Sequence, residues 1–388
     1  MSTRPPERTY FDWNATAPLS KQAQDAVLRA LQLTGNPSSV HAEGRAVRRL
    51  VEEARELVAA LVGTQASNVT FTSGATEANM LALTPAIEIG GRKEPRDRLF
   101  ISAIEHPSVR SGGRFAASAV EELPVTPDGV VDLAALERAL GHAERPLVSV
   151  MLANNETGVI QPIATIAEIV HAASGILHVD AVQGPGRVDC NIATLGADLL
   201  SISSHKIGGP QGAGALIRRG DIHIAEPLMR GGGQERGQRA GTESVAAISG
   251  FGAAARAAKE LDAGRMAALR DRLEAGIKAI TPQAVFFGAA SLRLPNTSLF
   301  AVPGMKAETA IIAFDLNGIA VSSGSACSSG KVQASHVLAA MGVETALAQG
   351  AIRISFGCST SETEVELFLQ TWNKLAASLL KERRGIAA

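Results

Sequence analysis

Ser201-Ile202-Ser203-Ser204-His205-Lys206-Ile207-Gly208-Gly209-Pro210-Gln211-Gly212-Ala213-Gly214 is the stretch that decides the fold. An apolar run from Asp198 to Ile202 leads into it, and Ala215-Leu216-Ile217 leaves it as the next short strand. One lysine therefore stands at the mouth of a strand, among hydroxyls, a histidine and backbone amides. The small residues let a ligand approach the main chain closely. A lysine so placed can lose its proton more easily than the solvated value of about 10.4 implies, and its amine can condense with a carbonyl. Alone, Lys-Gly-Gly reads as a surface lysine beside a tight turn.

The upstream stretch His178-Val179-Asp180-Ala181-Val182-Gln183 changes that reading. It is a short apolar strand ending in a carboxylate, and 206 − 180 = 26 residues separate Asp180 from Lys206. One α/β crossover brings both to the same sheet edge. A carboxylate against a pyridinium nitrogen and a lysine on an aldehyde is the arrangement pyridoxal phosphate needs.

Bulk properties are those of an ordinary soluble globular protein. The 388 residues are 46% hydrophobic and 19% charged, which predicts a globular chain of two domains. A formal net charge of −1 gives no electrostatic case for nucleic acid or an anionic membrane. Met1 to Glu7 lacks the apolar core of a signal peptide, and no apolar run reaches the roughly 18 residues of a membrane helix. Three widely spaced cysteines, Cys190, Cys327 and Cys358, predict free thiols, no zinc site and a cytoplasmic protein.

Further short apolar runs alternate with helical patterns through about residue 217. They predict an α/β fold with a doubly wound, mostly parallel sheet. Val69-Thr70-Phe71-Thr72 runs into Ser73-Gly74-Ala75-Thr76, a turn opening a helix, where amides without partners suit an anion. Leu99 to Ser102 leads to His106, and Leu147 to Met151 leads to Asn154-Asn155. Val47, Leu50, Val51, Ala54, Val58, Leu61 and Val62 recur at helical spacing, with Gly63 at the expected stop. Thr76, His106, Asn155, Asp180 and Lys206 all follow predicted strands, and ligands in such sheets sit beyond the strands' carboxyl ends. From Val245 to about Lys278 the chain reads as helical. Leu294 to Phe300 begins the sheet of a smaller α+β C-terminal domain, with a helix over Ala310 to Leu316.

Val321-Ser322-Ser323-Gly324-Ser325-Ala326-Cys327-Ser328-Ser329-Gly330-Lys331 has no apolar periodicity to hold it in a core, so its thiol should be reachable. Inert packing suits Cys190 and Cys358 better.

Together, Ser-Ser-His-Lys-Ile-Gly-Gly-Pro-Gln-Gly, His-Val-Asp-Ala-Val-Gln and Ser-Ser-Gly-Ser-Ala-Cys-Ser-Ser resemble the group I cysteine desulfurases, in the class V branch of fold-type I pyridoxal-phosphate enzymes. The resemblance covers nearly the whole chain. It implies a large domain over 15–255, and a small domain of 1–14 and 256–388 carrying the loop 321–331. It also implies a homodimer, with pyridoxal 5′-phosphate as cofactor and L-cysteine as substrate. An acceptor such as an iron–sulfur scaffold would take the sulfur. In this reading Lys206 holds the cofactor, and Ala75 and Thr76, helped by Ser203 and His205, cradle its phosphate. His106 stacks on the ring and moves protons, Asp180 pairs with the ring nitrogen, and Asn155 and Gln183 reach the ring oxygen. Arg353, on the strand Ala351 to Gly357, grips the substrate carboxylate with Asn155. Thr242, in the loop Gly231 to Thr242, touches the other subunit's phosphate, and Cys327 receives the sulfur. A selenocysteine lyase or another class V aminotransferase is the alternative.

Overall fold

The computed structural model describes residues 8–323 and 335–380. Cys327, with residues 324–331 of its loop, lies outside the described residues. The central sheet has seven strands: β1 (Val69–Thr72), β2 (Arg98–Ser102), β3 (Val120–Leu123), β4 (Pro146–Met151), β5 (Ile176–Asp180), β6 (Leu199–Ser203) and β7 (Gly214–Arg218). Their order is β1-β7-β6-β5-β4-β2-β3. Only β7 opposes its neighbours, which places Gly214 opposite both Ser203 and Thr72. The carboxyl ends of the other six therefore share one edge. Strands β4, β5 and β6 are buried at every position, as expected for a parallel sheet covered on both faces.

The helix predicted around Val47 to Val62 runs Ala42–Leu61. His41 caps its start by accepting the Gly44 amide. It ends before Gly63, whose φ of 66° is left-handed. The stretch from Val245 to about Lys278, expected to be helical, forms two helices, Val245–Ala258 and Ala263–Ile280. Asp262 breaks the run by accepting the Arg265 amide at 2.9 Å and capping the second helix. The residues Ile87–Ile89, Arg92–Lys93 and Ile222–Ile224 form a small sheet that the alternation did not suggest.

Beyond the second helix, Val285–Phe286, Thr297–Ala301 and Ile352–Ser355 form an antiparallel sheet. The first described strand, Thr9–Tyr10, pairs in parallel with Ile319–Ala320. This ties the start of the chain to its last third. The apolar side chains here form a cluster separate from that around the central sheet. Trp372 lies at its middle, fully buried, with edge-on contact to Phe300 and stacked on Phe314.

Trp372→Ala removes the largest fully buried side chain. It should cost about 3–5 kcal/mol, read as a lower urea midpoint. A midpoint within experimental error of the parent would show that this cluster does not carry the region's stability.

Candidate active site

Each sequence-predicted residue of the central sheet comes to the shared edge. Ala75, Thr76, His106, Asn155, Asp180, Gln183, Ser203, His205 and Lys206 line one cavity of about 450 Å³, and Arg353 joins them from the C-terminal sheet. Thr242 is exposed and outside that lining. Lys206 closes a short turn after β6. Its Nζ donates to the carbonyls of Asn14 and Ala15 at 2.6 and 2.8 Å, so the amine is aimed into the cavity mouth.

The anion cradle is built from backbone. Gly74 precedes the helix Ala75–Ala82, and no side chain caps that helix start. A Cβ on Gly74 or Gly212 would meet nothing within 4 Å, so the space beside the cradle is open. A Cβ on Gly214 would fall 2.5 Å from the Gly74 carbonyl carbon; β7 can approach the turn only with glycine there. Open amides, hydroxyls, a lysine amine and a carboxylate around one cavity fit a phosphorylated aldehyde carrying a ring nitrogen.

A hydrogen-bond chain connects Asp180 to His106. Asp180 accepts from Asn79 Nδ2 at 2.8 Å and from the Val182 amide at 3.1 Å. Asn79 also donates to Ser108 Oγ at 2.9 Å, and Ser108 Oγ lies 2.8 Å from His106 Nδ1. Because His106 Nδ1 also accepts the Ser108 amide, the neutral ring carries its proton on Nε2. Burial lowers the His106 proton affinity; Asp180 opposes this and Lys206 adds to it. Burial likewise drives His205 down to about 4. Asn79 escaped the sequence reading, since a helix-interior asparagine carries no signal of its own.

Asn154 and Asn155 take different places. Asn154 holds the turn, its Oδ1 accepting from the amides of Glu156 and Thr157 at 2.9 Å each. Asn155 lines the cavity, and its carbonyl accepts from Arg353 Nη1 at 3.0 Å. Arg353 Nη2 donates to Asp12 Oδ1 at 2.6 Å, a pairing across 341 residues that sequence reasoning missed. The residues flanking 324–334 on both sides are hydrogen-bonded. Ser322 exchanges backbone bonds with Arg353, and Ser335 donates to the buried Glu156 carboxylate at 2.6 Å.

The loop Gly231 to Thr242 is anchored at several points. Glu235 and Arg236 adopt positive φ, 47° and 56°. The Glu235 carboxylate takes both Nη groups of buried Arg55, at 2.6 and 2.8 Å, and the Phe71 amide at 2.8 Å. Arg239 pairs with Glu77 in the cradle helix at 3.0 Å. Cys190 is buried, as expected. Cys358 is exposed, against the expectation of packing, because it sits in the turn after Gly357 where the strand has left the core.

Residues 9–368 match the family described as Aminotransferase class-V. A cysteine desulfurase of Cereibacter sphaeroides is 42% identical over 370 residues, covering 94% of each chain. An IscS-like cysteine desulfurase of Mycobacterium tuberculosis is 38% identical, covering 98% of each. Among solved structures, a NifS-like protein from Rickettsia africae superposes with a TM-score of 0.86 at 35% identity, covering 96% of this chain and all of that one. The structure of SspA in complex with cysteine gives 0.75 at 28%, covering 91% and 100%. No helix among the described residues is long and apolar enough to cross a membrane.

Behind Asp180, Glu105 is wholly buried. Burial pushes its carboxyl up to about 8, with Asp180 adding to the rise against bonds from Ser102 and Met151. The folded value exceeds the unfolded one, near 4.5. Its stabilising contribution is thus complete below about pH 4.5 and is lost as pH rises to about 8. Glu105→Gln should flatten that slope, so that its stability relative to the parent improves steadily from pH 5 to pH 8 in urea titrations. A difference that does not change with pH would contradict a neutral Glu105.

Proposed function

The chain belongs to the class-V aminotransferase family and is a cysteine desulfurase, and from that premise we propose that Lys206 holds pyridoxal 5′-phosphate and Cys327 receives the sulfur of L-cysteine. The family is pyridoxal-phosphate dependent. The observation that carries the proposal is the gathering of Lys206, Asp180, His106 and Arg353, from separate strands, around one cavity. When bound, the cofactor supplies an electron sink that makes the substrate Cα–H acidic.

The protein's own groups divide the remaining work. The amides at Ala75 and Thr76, with Ser203 and His205, would hold the phosphate. Asp180, steadied by Asn79, would keep a proton on the ring nitrogen. Gln183 and Asn155 would reach the ring oxygen. Arg353, held by Asp12 and the Asn155 carbonyl, presents its guanidinium to the substrate carboxylate, where a two-point grip fixes Cα in place. Lys206 Nζ would remove and return the proton at the substrate Cα. His106, neutral through burial, exchanges its proton at Nε2.

Sulfur transfer then falls to Cys327. Its thiolate attacks the substrate sulfur: an S–S bond forms and the C–S bond breaks. The electron pair stays with the carbon, which is protonated to become the methyl group of L-alanine. The bonds of Ser322 to Arg353 and of Ser335 to Glu156 support this assignment, because Arg353 lines the cavity and Glu156 directly follows Asn155, which also lines it. A homodimer belongs to the same reading. Thr242, exposed and away from this chain's cavity, suits a contact with the partner's phosphate. The persulfide would pass to an acceptor such as an iron–sulfur scaffold.

Cys327→Ala should load the cofactor normally, yet release no alanine above background from L-cysteine and carry no persulfide by mass spectrometry. Turnover at the parent rate would remove the persulfide step and leave the cofactor site standing.

A further inference from the structure

Behind Lys206 lies a buried cation that the reaction, as derived, leaves unused. Arg187 is only 8% exposed. Its Nη1 donates to the side-chain oxygen of Gln183 and, at 3.3 Å, to the Gln183 carbonyl; Nη2 donates to the Lys206 carbonyl at 3.4 Å. Among the described residues no carboxylate pairs with it. A guanidinium taken out of water without an anion is costly. Burial accordingly lowers its proton affinity to about 10, and Arg353 adds to the effect while Cys190 opposes it. All three acceptors belong to two residues of the site.

The consequence for Gln183 is directional. A carboxamide has an acceptor end and a donor end of nearly the same shape. Arg187 can only donate, and it takes the oxygen. The Asn14 carbonyl can only accept, and it takes Nε2 at 3.0 Å. The two neighbours therefore fix which end is which. Nε2 keeps a second N–H, and Gln183 lines the cavity.

We propose that Arg187 is a positioning residue. It locks Gln183 with its donor end toward the cofactor and holds a positive charge behind Lys206, so that the link between Lys206 and the aldehyde loses its proton at a lower pH. The inference rests on the cofactor reading above. Two effects act in the same direction. A donor on the cofactor's ring oxygen weakens that oxygen's hold on the shared proton, and a nearby cation disfavours the protonated link. Titratable groups that feel Lys206 include His106 and His205, both lowered by burial, with Asp180 acting on His106. Those at Arg187 are Arg353 and Cys190.

The test is a pH titration of the visible absorption of the loaded protein, with folding of each variant checked by thermal melting. Arg187→Met should raise the midpoint by about one pH unit, about tenfold in proton affinity. Arg187→Lys should restore it to within about 0.3 unit, since a charge and a donor return. Gln183→Met should move the midpoint upward too, and it carries the test if Arg187→Met fails to fold. A midpoint for Arg187→Met equal to the parent's, no restoration by lysine, or no movement in Gln183→Met each overturns the proposal. A loaded parent protein with no visible band overturns the cofactor reading itself, and this inference falls with it.

Discussion

A parallel sheet buried on both faces has only its strand ends to offer a ligand. That constraint organises this molecule. Six strands of the central sheet point the same way, so turns far apart in sequence open side by side. The cradle after β1, His106 after β2, Asn155 after β4, Asp180 ending β5 and Lys206 after β6 are neighbours for that reason. The one reversed strand, β7, brings Gly214 against the cradle, where a side chain would collide with Gly74.

Desolvation then sorts the groups at this edge. Residues without a counter-ion are pushed toward neutrality: His106 and His205 downward, Glu105 upward. Arg353 keeps a carboxylate partner in Asp12. The cavity thus contains few unpaired charges. A charged group entering it meets donors fixed by the fold. Arg187 departs from the pattern, a buried cation held by carbonyl oxygens, and for that reason it reads as a tuning element.

Much of this was legible in the chain because its signals are local. Apolar runs of five residues, glycine turns and a polar residue just past each strand give the edge directly. What could not be read depends on partners well over a hundred positions apart. Asp12 finds Arg353 and Arg55 finds Glu235 only after folding, and no spacing announces either pair. Asn79 and Glu105 act through burial behind the edge, which a local pattern does not reveal. The break at Asp262 and the exposure of Cys358 were missed for a smaller reason: an alanine-rich helical pattern hides a cap, and a cysteine's type says little about where its turn leaves the core.

The central claim is that one amine, at Lys206, carries an aldehyde cofactor within this cavity. Borohydride reduction of the pyridoxal-phosphate-loaded protein, followed by peptide mass spectrometry, reads it directly, because reduction fixes the link as a stable secondary amine. The account predicts the phosphopyridoxyl mass on the peptide containing Lys206, and on no other lysine at stoichiometric loading. A folded protein that takes up no label at Lys206, or takes it up on another lysine instead, would contradict it.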